Sequence, residues 1–134
     1  MTIALAGCVL RNSEGGILLI HRETESYNHW EIPGGKIEPN ETAHTAAIRE
    51  LQEELGLQVQ IERELGRDSF TDNDRQFSYV WWLATTTDKP RITESYLFSE
   101  WRYIDMHVLL AGGISLSEGA KAFIGLVKSG KVTL

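Results

Sequence analysis

Apolar residues fall along this chain in short runs separated by clusters of turn formers. Ile3–Leu10 is an apolar run, Asn12–Gly16 is rich in turn-forming residues, and Ile17–Ile20 is a second apolar run. That succession predicts a β-hairpin. Trp30–Ile32 predicts a short extended piece stopped by Pro33-Gly34-Gly35. A helix follows from Thr42 or Ala43 to Leu55, with Gly56 as the residue that closes it. Gln58–Phe70 reads as extended with a bend, its Val59, Ile61 and Leu65 on alternating sides. Arg75–Ala84 is dense in β-branched and aromatic residues and predicts the clearest strand, broken by Asp88-Lys89-Pro90. Glu100–Ile104 predicts another strand, and Ser117 caps a last helix over Glu118–Lys128. The order ββ–α–ββ–α implies a mixed sheet covered by helices on both faces.

On the central helix, at ~100° per residue, His44, Ala47, Ile48, Leu51 and Leu55 share one arc, read as the buried side. Glu50, Glu53 and Glu54 share a different arc with Ala43 and Ala46, read as an open acidic face. Like charges so close on a helix repel, so folding alone does not explain them. Three carboxylates beside small side chains suit hard divalent cations and their bound waters. Arg49 stands four positions before Glu53 and can hold that carboxylate in place.

The bulk properties narrow the classes without choosing one. At 134 residues the chain is long enough for one domain with a core, and one domain over 1–134 is the expectation. A net charge of −6 argues against a duplex-DNA or membrane-surface binder, which would show a basic face. It leaves room for an anionic ligand held through a cation. Cys8 is the single cysteine, so no internal disulfide forms and a reducing, cytoplasmic setting is expected. Leu5-Ala6-Gly7-Cys8 resembles a lipoprotein cleavage site, but the residues before it include no basic start and no signal-length apolar run; the segment is read as a strand. His21, His29, His44 and His107 are not spaced as a metal set, which argues against a zinc hydrolase.

Gly35, Glu41 and then Arg49-Glu50-Leu51-Gln52-Glu53-Glu54-Leu55-Gly56-Leu57 match the signature Gly-x5-Glu-x7-Arg-Glu-U-x-Glu-Glu-x-Gly-U, where U is a bulky aliphatic residue. A chance match at all these positions has a probability on the order of 10⁻⁸ with average residue frequencies. This is the signature of the Nudix hydrolases, which the chain resembles. EIPGGKIE before the helix and DRQFSYVWWLA after it are similar to MutT-like members. Asn40 stands where the family usually has glycine, and asparagine tolerates the left-handed backbone such a loop requires.

The resemblance implies an α/β/α sandwich, an α/β fold of the α+β kind, whose mixed, curved sheet is flanked by helices. It implies that Glu50, Glu53, Glu54 and the Gly34 carbonyl ligate Mg²⁺, with Mn²⁺ as substitute. Gly35, Glu41 and Arg49 would support those ligands. Glu100 matches the late glutamate that MutT-like enzymes place near the metal or use as a base, so the catalytic set is Glu53, Glu50, Glu54, Arg49 and Glu100. The implied reaction is metal-assisted hydrolysis of a nucleoside diphosphate linked to a further group.

Arg22, Arg75, Phe77 and Tyr79 are candidate substrate contacts, the arginines for phosphate and the rings for a base. ADP-ribose hydrolases of the family often carry a proline downstream of the box, and this chain has none between Pro39 and Pro90. Nor does Asn73–Arg75 offer the tyrosine common in dinucleoside polyphosphate hydrolases. A nucleoside triphosphate is therefore the expected substrate, oxidised forms included, although Leu116-Ser117-Glu118-Gly119 lacks the base-reading asparagine of the oxidised-guanine enzymes. The alternatives are an ADP-ribose or nucleotide-sugar hydrolase, a dinucleoside polyphosphate hydrolase, and a nucleotide-sensing domain without activity. The expected partner is a small nucleotide rather than a nucleic acid polymer or a membrane, with the protein a monomer or homodimer.

Overall fold

A computed structural model describes residues 1–134. Its elements in order are β1 (Thr2–Leu10), β2 (Gly16–Glu23), β3 (Asn28–Glu31), β4 (Gly34–Lys36), α1 (Ala43–Leu55), β5 (Gln60–Asp72), β6 (Arg75–Thr85), β7 (Phe98–Asp105), α2 (Met106–Ala111) and α3 (Glu118–Lys128). The strands form two sheets, β4-β1-β6-β5 and β3-β2-β7. Pairing is mixed: β1 runs parallel to β6 from Thr2↔Gln76 to Leu10↔Ala84 and antiparallel to β4. No helix is long and apolar enough to cross a membrane.

The period-two alternation of the buried strands sorts side chains into two cores. Ala6, Cys8 and Leu10 of β1 and Leu18 and Ile20 of β2 meet Ala46, Ala47, Leu51 and Leu55 of α1. Val9, Ile17 and Leu19 point the other way, into a core with Trp81, Leu109, Phe123 and Ile124. Strands buried on both faces read as continuous apolar runs, which is the pattern of Ala6–Leu10 and Ile17–Ile20, whereas Ala4 is exposed. Helices on each side complete the sandwich. Full burial of a side chain such as Leu51 contributes roughly 1.5–3 kcal/mol.

The expected β1–β2 hairpin does not form. Asn12 makes the turn, its Oδ1 accepting from Glu14 N at 3.2 Å and Gly16 N at 2.7 Å. Only one bridge, Arg11↔Ile17, joins the strands before they part into different sheets. Gly34-Gly35 does not stop the chain either, because β4 pairs Gly34 with Gly7 and Gly35 with Ala6. A Cβ on Gly34 would come within 2.5 Å of the Ala6 carbonyl, so the strand approaches this closely only without a side chain. The bend expected in β5 is present as bulges at Ile61/Arg63 and Glu64/Gly66. Helix α2 was not foreseen; its six residues are too few for a periodic signal, although Asp105 caps it by accepting from His107 N at 2.7 Å.

Candidate active site

Helix α1 begins where Thr42 accepts from Thr45 N at 3.1 Å and ends at Gly56, which takes φ 65°. The loop before it turns at Asn40, whose φ of 66° is the left-handed value expected there. The buried stripe is rotated from the expected one. Ala46, Ala47, Leu51 and Leu55 are fully enclosed and Glu54 is 4 % exposed, whereas His44 is exposed and meets Trp82 edge-on at 5.4 Å. Glu50 and Glu54 thus lie on the side facing the sheet, and only Glu53 points out, with its side chain 52 % exposed. The glycines of β4 make this possible: a Cβ on Gly35 would stand 2.5 Å from the Glu50 carboxylate.

Arg49 organises the outer half of the acidic group. Its guanidinium donates to both oxygens of Glu41 (2.7 and 2.9 Å), to Glu50 at 3.0 Å, to Glu53 at 3.2 Å and to the Lys36 carbonyl at 2.9 Å. The bonds from Arg49 hold the Glu41 carboxyl down at about 2. Glu41, Glu50 and Glu53, in that neighbourhood, are answered by one cation.

The inner half has no such answer. Glu54 accepts from Gly34 N–H at 2.8 Å and pairs with no cationic side chain. Burial pushes its carboxyl well above the usual range, and the charges of Glu50 and Glu31 push it further. Burial also raises Glu50, against the pull of Arg49. A buried carboxylate in this position either keeps a proton or takes a cation. Hard oxygen donors of this kind fit Mg²⁺ or Mn²⁺. No three of the acidic groups yet converge on one point, since Glu50 and Glu53 turn to Arg49 while Glu54 turns to Gly34.

Glu100 lies apart from this group. It stands on β7 opposite His21 and bonds Arg102 Nε at 2.6 Å. Glu94 lies close enough for its charge to raise both Glu50 and Glu54, though more weakly than burial and the nearer acids do. It rides on a strap tied to the end of α1: Arg91 N donates to the Leu55 carbonyl at 3.1 Å, Thr93 N to Glu54 O at 3.3 Å, and the Thr93 hydroxyl to Glu53 O. Nothing in the local pattern around Glu94 marks it in the sequence.

Beside Gly34 and Gly35 opens a cleft of ≈ 250 Å³. Phe77 and Tyr79 line it, together with Phe70, which stacks on Phe77 at 5.5 Å between centroids. Trp81 stacks on Tyr79 at 4.6 Å but belongs to the core behind it. Arg75 is exposed near the β5–β6 turn, 6.0 Å from the Phe77 ring, and does not line the cleft. Arg22 does line it, with Nε 2.5 Å from Glu31, and His29 Nε2 lies 2.8 Å from the same carboxylate. Burial opposes ionisation of Glu31, but the bonds from His29 and Arg22 outweigh it and hold the carboxyl below its usual range. The sequence does not mark Glu31, although it opens the EIPGG stretch, and His29 enters there only as a member of a rejected metal set. Ser117, Glu118 and Gly119 close the far side.

A family profile for the NUDIX domain matches residues 1–121. The chain is 34% identical over 84 residues to an 8-oxo-dGTP diphosphatase of Escherichia coli, a match covering 61% of this chain and 65% of that protein. An 8-oxo-dGTP diphosphatase of Proteus vulgaris is also 34% identical, over 60% of this chain and 74% of its own length. The fold is similar to that of a MutT protein from Methanosarcina mazei, with a TM-score of 0.83 at 19% identity over 97% of this chain and 95% of that one. A MutT Nudix hydrolase from Burkholderia pseudomallei superposes with a TM-score of 0.80 at 22% identity, covering 93% and 97% of the two chains.

Proposed function

Since the chain belongs to the Nudix hydrolase family, we propose that it cleaves a nucleoside triphosphate to the monophosphate and pyrophosphate with the help of Mg²⁺ or Mn²⁺. The observation that carries this reading is Glu54, a buried carboxylate among Glu50, Glu31 and Glu94 with no cation to neutralise it, beside an aromatic cleft. Glu50, Glu53, Glu54 and the Gly34 carbonyl would hold the metal, with Glu94 in the place first expected of Glu100. When bound, such a cation neutralises the diphosphate oxygens and acidifies a coordinated water.

The chain's own residues supply the rest. Glu53 is the most exposed acid of the helix and is steadied by Arg49, so it is the group that accepts the proton of the attacking water. Gly35 leaves the space that the Glu50 carboxylate occupies. Phe70, Phe77 and Tyr79 offer ring faces to a base, and Arg22 offers charge to a phosphate.

The decisive experiment is a panel of canonical and oxidised (d)NTPs, ADP-ribose, nucleotide sugars and dinucleoside polyphosphates with Mg²⁺. Pyrophosphate release from one or more triphosphates is expected, with 8-oxo-dGTP included because the relatives' names carry it. Turnover confined to ADP-ribose, or none at all, would overturn the reading.

A further inference from the structure

The ring of Tyr79 lines the cleft, with Trp81 stacked on it at 4.6 Å between centroids and 8° between planes. Its hydroxyl has no such evident use. Tyr79 is 6 % exposed, and burial, then the charges of Glu54 and Glu31, push its ionisation well above the ordinary phenol range. The group therefore stays neutral and keeps a proton to donate. Its acceptor is the Ile32 carbonyl at 3.5 Å, long beside the roughly 2.5–3.0 Å usual for an O–H···O bond. Phenylalanine would supply the same ring to the cleft without burying a polar atom.

The surroundings of that oxygen account for it. Gly7 and Gly34 pair directly across β1 and β4, and a Cβ built on either would overlap the Tyr79 hydroxyl. The oxygen thus fills the space that two absent side chains leave. Tyr79 itself pairs with Leu5, so its side chain runs along β1 to reach this socket. The peptide joining Pro33 to Gly34 is tied at both ends: its carbonyl accepts from Cys8 N at 3.1 Å and its N–H donates to Glu54 at 2.8 Å. Tyr79 holds the carbonyl of the peptide before it.

We infer that Tyr79 is a positioning residue: its hydroxyl, seated between Gly7 and Gly34 and bonded to Ile32, sets the angle at which Gly34 presents its N–H to Glu54 and its carbonyl to a divalent cation. The hydroxyl touches neither cation nor substrate. This rests on the metal-dependent reading above. Phenylalanine would leave a gap the size of one oxygen beside two residues without side chains, where the backbone is freest to move. Groups that orient metal ligands change metal affinity by about 10–100-fold, and one acting through a peptide belongs at the lower end.

The test is Tyr79→Phe, read three ways. In EDTA its melting temperature should stay within a few degrees of wild type, because the bond it loses is long. Hydrogen exchange followed by NMR should show the Gly34 amide protected in the wild-type protein and exchanging roughly tenfold faster in the variant, with the amides of α3 unchanged. Mn²⁺ binding, followed by the EPR signal of the free ion, should weaken roughly tenfold. Rapid exchange at Gly34 in the wild type overturns the inference without recourse to any variant. So does unchanged Gly34 exchange or Mn²⁺ affinity in Tyr79→Phe, or a variant that melts far earlier and loses protection throughout, which is a purely structural role. A wild-type protein that binds no Mn²⁺ overturns it as well. Pyrophosphate release from triphosphates is followed separately: Mn²⁺ binding that depends on Tyr79 without release refutes the hydrolase reading and leaves the positioning role standing.

Discussion

Replacing Glu54 with glutamine should make the metal-free protein more stable at pH 8 and not at pH 4. The glutamine oxygen can still accept from Gly34 N–H, which now holds the carboxylate at 2.8 Å. A hydrogen bond to a charged acceptor contributes about 1.5–3 kcal/mol, and the neutral amide keeps part of it. Against that loss stands an enclosed ion with no cation beside it, whose effective cost is several kcal/mol even after relaxation. The second effect is larger, so Glu54→Gln should gain about 1–3 kcal/mol at pH 8, or roughly 3–10 °C for a chain of this length. The sign with pH follows from the direction of the shift. The folded carboxyl is raised above its unfolded value, so its contribution is intact below the ordinary carboxylate range and is lost as pH rises toward the raised value. Wild type and variant should therefore coincide in EDTA at pH 4 and separate steadily up to pH 8. Adding Mg²⁺ at a hundredfold excess over its Kd should raise the wild-type protein by about 2.7 kcal/mol and leave the variant nearly unmoved. Thermal unfolding across that pH series is the assay. A variant less stable than wild type at pH 8, or a gap independent of pH, would refute the reasoning.

Glu53→Gln should lower kcat by about 10²-fold or more while leaving the melting temperature within a few degrees, because that carboxylate is exposed; steady-state rates with melting curves check it. Glu94→Gln should depress Mg²⁺-dependent turnover severalfold or more, and Glu100→Gln should not, a comparison made under one set of assay conditions. Arg49→Lys should lower the midpoint of urea titrations, the fork to Glu41 being lost. In the wild-type protein, Glu41 has its pKa lowered to about 2, so its contribution is present above pH 4.5 and is lost as pH falls toward 2; that part of the acid-side slope should vanish in Arg49→Lys.

The local signals in the sequence held up where the chemistry was itself local. The Thr42 cap, the Gly56 terminus and the left-handed Asn40 are decided by the residues at those positions and their near neighbours. Pairing across the fold was not legible in the same way. The turn at Asn12 is present, but which sheet each strand enters depends on β6 and β7, far along the chain. Helix α1 turns two of its carboxylates inward, whereas their charge alone points them to solvent. The inward stripe runs through Ala43, Ala46, Ala47, Glu50, Leu51 and Glu54, a regular helical spacing whose acids are accommodated by two glycines on β4. Glu94 was missed for a different reason: a strap's position is set by backbone bonds to the end of a helix, which no periodicity reports. Glu31 lay in the quoted EIPGG stretch, yet its link to Arg22 and His29 appears only once β2 and β3 are paired.

The parallel ladder between β1 and β6 also constrains how the molecule is made. Thr2 pairs opposite Gln76, and β1 is an inner strand of its sheet, with β4 on its other side. Synthesised at 5–20 residues per second, the chain extends for roughly 4–15 s after the first strand before its parallel neighbour exists. During that interval the apolar run Ala6–Leu10 can find β4 but not β6, and one edge stays open. Closing so long a loop is slow compared with forming α1. Strand β2 waits longer still, for β7 at Phe98–Asp105, so the two inner apolar strands at the start of the chain are where a nascent chain is most exposed to misassembly.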